Sequence, residues 1–254
     1  MAIFKTEICV GSAQDAVEAQ RAGAERVELC SALSEGGLTP SYGQIAMARS
    51  LLTTTRLHVI IRPRRGDFCY SALDIECMKS DIAAARRLGA DGIVIGCLTE
   101  NGDVDTDAMR QLVDAAGTMS ITFHRAFDMC RDMSEALEKI IGLGCHRVLT
   151  SGGCATAEKG IDTLRQLVKQ AAGRIIIMPG CGISPDNIET IALRTSAQEF
   201  HFSAQRTIES PMLYRNPNAT MAAPSADEYL LPAVDYGKIQ QIRENLQQLE
   251  TQII

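Results

Sequence analysis

A chain of 254 residues that is 46% hydrophobic buries a sizeable core, and its length suits either one α/β barrel or two smaller domains. Its 25 basic and 31 acidic side chains give a net charge of −6 with no Lys/Arg run long enough to track a phosphate backbone, which argues against a nucleic-acid partner. No stretch approaches the roughly 20 apolar residues of a membrane span, and Met1 to Val10 lack the apolar core of a signal peptide, so a cytoplasmic protein is expected. Nine cysteines, an odd number, fit free thiols in a reducing compartment better than a disulfide framework.

Along the chain, β-branched runs centre near Ile8, Glu28, Ile60, Val94, Thr122, Val148, Ile176 and His201. Each except the last is followed by helical periodicity, and the spacing of roughly 20 to 35 residues is that of a βα unit. The pattern predicts a (β/α)₈ TIM barrel, read as one domain over residues 1–254. Glycines in Ala22-Gly23-Ala24, Leu88-Gly89-Ala90 and Leu143-Gly144-Cys145 mark helix ends. Thr39-Pro40 and Ser184-Pro185 predict helix starts. Ala204 to Tyr236 holds four of the eight prolines and reads as a long connection, a lid, a subunit contact or a surface loop, before a closing helix over Gly237 to Gln248.

Strand alternation places Glu7, Cys9 and Gly11 on one face, as it does Glu28 with Cys30, His58 with Ile60 and Arg62, Thr122 with His124, and Glu199 with His201 and Ser203. Their apolar neighbours suit the helix side, so the barrel interior is expected to be polar. An unpaired charge there costs several kcal/mol, which leaves two readings. In one, Arg62 neutralises Glu7 or Glu28 in a structural network. In the other, Cys30, Arg62, His124 and Ser203, which end their strands, build a ligand site at the mouth.

The loops Arg62 to Phe68 and His124 to Asp128 mix cations, a carboxylate and an aromatic ring. For a small anionic metabolite, Arg62, Arg64 and Arg125 are the candidate holders, and Glu28, His124 or Asp128 the candidate proton carriers. The glycine turn from Pro179 through Gly180 to Ser184, with Ser203 after the last strand, lies where many barrels bind phosphate. All six lysines lie away from the strand ends, against Schiff-base chemistry, and no phosphate loop, zincin helix or nucleophile elbow is present. Cys9 and Cys30, on neighbouring strands, are the natural pair of soft ligands for Cu(I).

Glu7-Ile8-Cys9-Val10, Arg26-Val27-Glu28-Leu29-Cys30, Leu33-Ser34-Glu35-Gly36-Gly37, Ile61-Arg62-Pro63-Arg64, Gly66-Asp67-Phe68, Thr122-Phe123-His124-Arg125-Ala126-Phe127-Asp128, Val148-Leu149-Thr150-Ser151-Gly152 and Met178-Pro179-Gly180 occur in this order. Together they resemble the CutC family, named for copper homeostasis, along almost the whole chain. The resemblance implies a cytoplasmic barrel that self-associates, a homodimer, with Cu(I) at Cys9 and Cys30. The family segments add Glu7, Thr150 and Ser151 to the candidate ligand-binding set. Some members carry an acid where this chain has Gly11 and a glycine where it has Cys181. Two functions stay open: a copper homeostasis protein, or a barrel enzyme or binding protein for a small anionic metabolite, phosphorylated or not, without a direct copper role.

Overall fold

The computed structural model describes residues 4–219 and 227–253. The eight runs form parallel strands: β1 (Lys5–Val10), β2 (Arg26–Leu29), β3 (Arg56–Ile60), β4 (Gly92–Ile95), β5 (Ser120–Phe123), β6 (Arg147–Thr150), β7 (Ile176–Pro179) and β8 (Glu199–Phe202). Neighbours pair in chain order from β1 to β7, β8 returns to β1, and a bridge between Gly180 and His201 closes the ring. The intervening helices are α1 (Ala13–Arg21), α2 (Tyr42–Leu51), α3 (Ala72–Arg87), α4 (Thr106–Ala116), α5 (Met133–Gly142), α6 (Ile161–Ala171) and α7 (Ile188–Thr195). The result is a (β/α)₈ barrel.

Three helices end as expected, with Gly23, Gly89 and Gly144 at φ of 86°, 82° and 78°, where a Cβ would be strained. The two proline-marked starts need correction. Helix α2 begins after Ser41, whose hydroxyl accepts from the Gln44 N–H, and the Thr39 hydroxyl instead accepts from the Arg62 N–H. Ser184-Pro185 opens a turn, the Ser184 N–H donates to Asn187 Oδ1, and α7 starts only at Ile188.

Alternation divides the strands into two environments. Ile8, Val27, Val59, Ile61, Ile93 and Phe200 pack outward under the helices in the main apolar core. The inward positions carry Glu7, Glu28, His58, Thr122, Glu199 and His201, all buried. Two glycines make room for the imidazoles. A Cβ on Gly92 would lie 2.5 Å from His58 Nε2, and one on Gly96 would lie 2.7 Å from the His124 ring.

The structure replaces the expected pairing of Arg62 with Glu7 or Glu28. Arg26 neutralises the inner acids, bonding Glu7 and lying 2.7 Å from Glu199, which Arg147 also contacts at 2.6 Å. Arg26 sits four residues before Cys30 on the same parity, deep in the barrel, whereas Arg62 follows the end of β3 and is too far toward the mouth.

The long connection holds an antiparallel hairpin, β9 (Gln205–Glu209) with β10 (Leu230–Val234), before α8 (Tyr236–Ile253). Its prolines concealed it, since Pro232 lies in a two-stranded ribbon where an edge tolerates a missing donor. Residues 220–226 of that connection lie outside the described residues. Among the described residues, no helix is long and apolar enough to cross a membrane.

Candidate functional site

A cavity of about 800 Å³ opens at the carboxyl ends of the strands. Cys9, Glu28, Arg62, His124, Arg125, Asp128 and Ser203 from the expected set line it, so several strand ends do converge. Arg64, Thr150, Ser151, Gly180 and Glu7 do not belong to its wall. Arg64 is spent on its own loop, 3.0 Å from Asp67, 2.6 Å from the Cys69 carbonyl and stacked on Tyr70. Gly180 is a packing glycine, since a Cβ there would lie 2.5 Å from Leu149.

On one side of the cavity, the half-buried Cys9 Sγ lies 3.6 Å from the buried Cys30 Sγ. Residue 9 pairs in register with residue 28, so Cys30 is two residues further along, yet the sulfurs still meet. A Glu28 oxygen joins them, and the three ligand atoms lie within 4.8 Å of one another. Glu28 Oε1 is buried with no hydrogen-bond partner among the described residues. His201 completes the group, with Nε2 3.6 Å from Glu28 Oε2 and Nδ1 2.8 Å from Glu7 Oε1. The sequence reading left His201 out of the site, although its alternation with Glu199 and Ser203 already turned it inward.

The electrostatics follow from this crowding. The hydrogen bond from Cys30 brings the Cys9 thiol down to about 5, against its burial, with His201 assisting. Burial, and then Cys9 beside it, holds the Cys30 thiol well above its ordinary value. The shared hydrogen bond between the two sulfurs thus eases loss of the first proton from the pair and hinders loss of the second. Burial and the Cys9 charge likewise raise the Glu28 carboxyl. Burial opposes the His201 imidazolium, but Cys9, Glu7 and Glu28 outweigh it and raise its value well above the usual one. Beneath, burial of Glu7 is outweighed by Arg26 and His201, which hold its carboxyl well below the usual range.

The other side is cationic. The buried Arg62 guanidinium donates to the carbonyls of Glu35 at 2.7 Å, Gly37 at 3.0 Å and Gly66 at 2.8 Å, and lies over the Phe68 ring at 5.1 Å. The other neighbour of Phe68 is the His124 ring, at 4.9 Å between centroids. His124 Nδ1 accepts from the Ala126 N–H at 3.2 Å, which leaves the proton on Nε2. Burial, with the Arg62 charge second, brings this imidazole down to about 3, so it is a neutral donor at pH 7.

Asp128 is saturated. It takes Arg125 Nε at 2.8 Å, the N–H groups of Ser151 and Gly153 at 3.0 Å each, and the Thr150 hydroxyl. Arg125 also donates to Ser151 Oγ at 2.9 Å. Thr150 and Ser151 thus act behind the wall, fixing the Asp128–Arg125 pair. Cys181 lines the cavity at φ 78° and donates to the Ala155 carbonyl at 3.2 Å.

The molecule is thus a (β/α)₈ barrel whose mouth combines a thiol pair, a carboxyl and an imidazole with a separate buried cation. The chain belongs to the CutC family, whose model matches residues 4–206. A CutC family protein of Bacteroides fragilis is 58% identical over 215 residues, covering 85% of this chain and 86% of that protein. The human protein named copper homeostasis protein cutC homolog is 46% identical over 237 residues, covering 93% and 86%. Among solved structures, CutC of Streptococcus agalactiae superposes with a TM-score of 0.76 at 34% identity, covering 79% of this chain and 98% of that one. An aldolase at 14% identity and a TM-score of 0.60, covering 80% and 90%, shares the fold alone.

Proposed function

We propose that this protein is a cytoplasmic, self-associating copper homeostasis protein that takes Cu(I) as cargo between Cys9 and Cys30. The observation that carries the reading is the 3.6 Å approach of the two sulfurs beside a Glu28 oxygen. Soft thiolates select Cu(I), and the lowered Cys9 thiol eases the proton loss that binding requires. At the about 2.3 Å of a typical metal–thiolate bond, sulfurs this close enclose a bent arrangement rather than a linear one. Glu28, or His201 once neutral, is the neighbouring donor. The human relative's name points to the same cargo.

The test is an anaerobic Cu(I) titration against a competing chelator. One tightly held equivalent is expected for the native chain and its loss in Cys9→Ser/Cys30→Ser. Unchanged stoichiometry and affinity in the double variant would overturn the assignment. Sedimentation of the native chain at micromolar concentration checks the expected dimer.

A further inference from the structure

The two sulfurs of the thiol pair meet across a diagonal. Cys9 pairs in register with Glu28, so Cys30 stands two residues beyond the position opposite Cys9. With neighbouring strands about 4.8 Å apart and a rise of about 3.3 Å per residue, the two Cα atoms lie about 8 Å apart. A disulfide spans at most about 6.8 Å between Cα atoms, with its sulfurs about 2 Å apart. The side chains lean together to bring the sulfurs to 3.6 Å, and an ion bonded to both asks for no closer approach. A disulfide does.

The fold holds that spacing. The Cys30 N–H donates to the Val10 carbonyl at 2.9 Å, which fixes the height of Cys30 against β1. The Cys30 side chain packs on Ile60 and Val94, and a Cβ on Gly37 would lie only 3.4 Å from its sulfur. The two thiols also differ in access. Half-buried Cys9 lines the cavity, whereas Cys30 is 1% exposed behind it. About 800 Å³ is the size of a small-molecule pocket, so reagents larger than an ion can reach Cys9.

We propose that Cys9 is a site of S-thiolation by low-molecular-weight disulfides, and that Cys30 does not resolve the adduct. In the step, Cys9 Sγ attacks one sulfur of RS–SR. The Cys9–SR bond forms, the RS–SR bond breaks, and the departing thiolate takes the Cys9 proton and leaves as RSH. Cys9 is oxidised and the departing sulfur reduced, so no other oxidant is required. Resolution would need Cys30 Sγ to attack Cys9 Sγ and expel the second RSH, and its product is the bond that the Cα spacing forbids. The adduct therefore stays on Cys9 until a free thiol removes it. The modification would cap a ligand of the copper reading but does not rest on that reading.

The test uses the metal-free, reduced native chain, treated anaerobically with excess hydroxyethyl disulfide and quenched with acid. The protein is then unfolded, alkylated and mapped as peptides by mass spectrometry without reductant. Cys9 should carry the hydroxyethylthio group and Cys30 the alkyl group, and dithiothreitol should return Cys9 to the free thiol. Cys30→Ser should take the adduct on Cys9 to the same extent as the native chain. A peptide linking Cys9 to Cys30 or to Cys181, or an adduct that accumulates only in Cys30→Ser, would overturn the proposal. So would a Cys9 that stays unmodified in the folded chain while the exposed Cys77 reacts. No metal enters this experiment, so its failure is separate from failure of the Cu(I) titration.

Discussion

His58 and His124 are each buried as neutral imidazoles, brought down to about 3 chiefly by burial. The unfolded chain protonates the same rings below about 6.5, so it binds more protons than the fold between those values. Their contribution to stability is full above about pH 6.5 and declines as pH falls, by about 1.4 kcal/mol per unit for each ring. His201 works the other way. Its raised value makes its contribution full below the unfolded value and lost only as pH rises through the folded one. Urea unfolding at neutral and mildly acidic pH should therefore show a loss beginning above the carboxylate range, and His124→Asn should show a shallower dependence, by about 1.4 kcal/mol per pH unit. An equal slope in the variant would mean that His124 is not the buried neutral group described. The same ring limits its neighbour. Gly96→Ala would put a Cβ 2.7 Å from it and should cost about 1–3 kcal/mol, a penalty that His124→Asn in the same chain should relieve.

Between elements, the base of the barrel is tied by ion pairs rather than by apolar packing. Arg26 of β2 joins Glu7 of β1 to Glu199 of β8, and Arg147 of β6 reaches the same Glu199. Removing the shared cation leaves Glu7 with the His201 imidazolium and Glu199 with Arg147 as their remaining cations, so Arg26→Met is expected to cost up to about 3–5 kcal/mol in urea unfolding. Glu7→Gln added to it should recover part of that loss, because the carboxylate that has lost its guanidinium is gone; no recovery would place the effect in packing. The hairpin is the opposite case. Every residue of β9 is exposed, and only its base touches the cavity, through Gln205 and Pro232. Replacing residues 210–229 with a short turn should leave the melting temperature within the few degrees that about 1 kcal/mol produces in a chain this size.

Across the whole molecule, ligand binding and folding are linked, since Cys9, Glu28 and Cys30 are brought within 4.8 Å only when β1 pairs with β2 in the fold. An ion that binds the fold and not the unfolded chain stabilises it by mass action, about 2.7 kcal/mol at a hundredfold excess over Kd. That corresponds to a rise of roughly 5–10 °C in the melting temperature. Anaerobic melting should show this with Cu(I) for the native chain and not for Cys9→Ser/Cys30→Ser. A rise retained in the double variant would move the copper to other thiols.

The barrel itself was legible in the amino-acid order, because βα spacing, the period of two along strands and the glycines at helix ends are local signals. Parity alone turned Glu7, Glu28, His58, His124 and His201 inward and put Cys9 and Cys30 on adjoining strands, and the family segments named the same thiols. Tertiary structure decided what each of these touches. Which arginine meets which acid depends on depth along the barrel axis, and that depth comes from the stagger of strands around a closed ring. Alternation gives a residue's side but not its height, so Arg62 and Arg26 look equivalent until the ring closes. Closure brings His201 from the last strand against Glu7 and Glu28 from the first two, consumes Asp128 on Thr150 and Ser151, and leaves Arg62 with no carboxylate. Contacts between distant segments are fixed by the geometry of closure, which no local pattern carries.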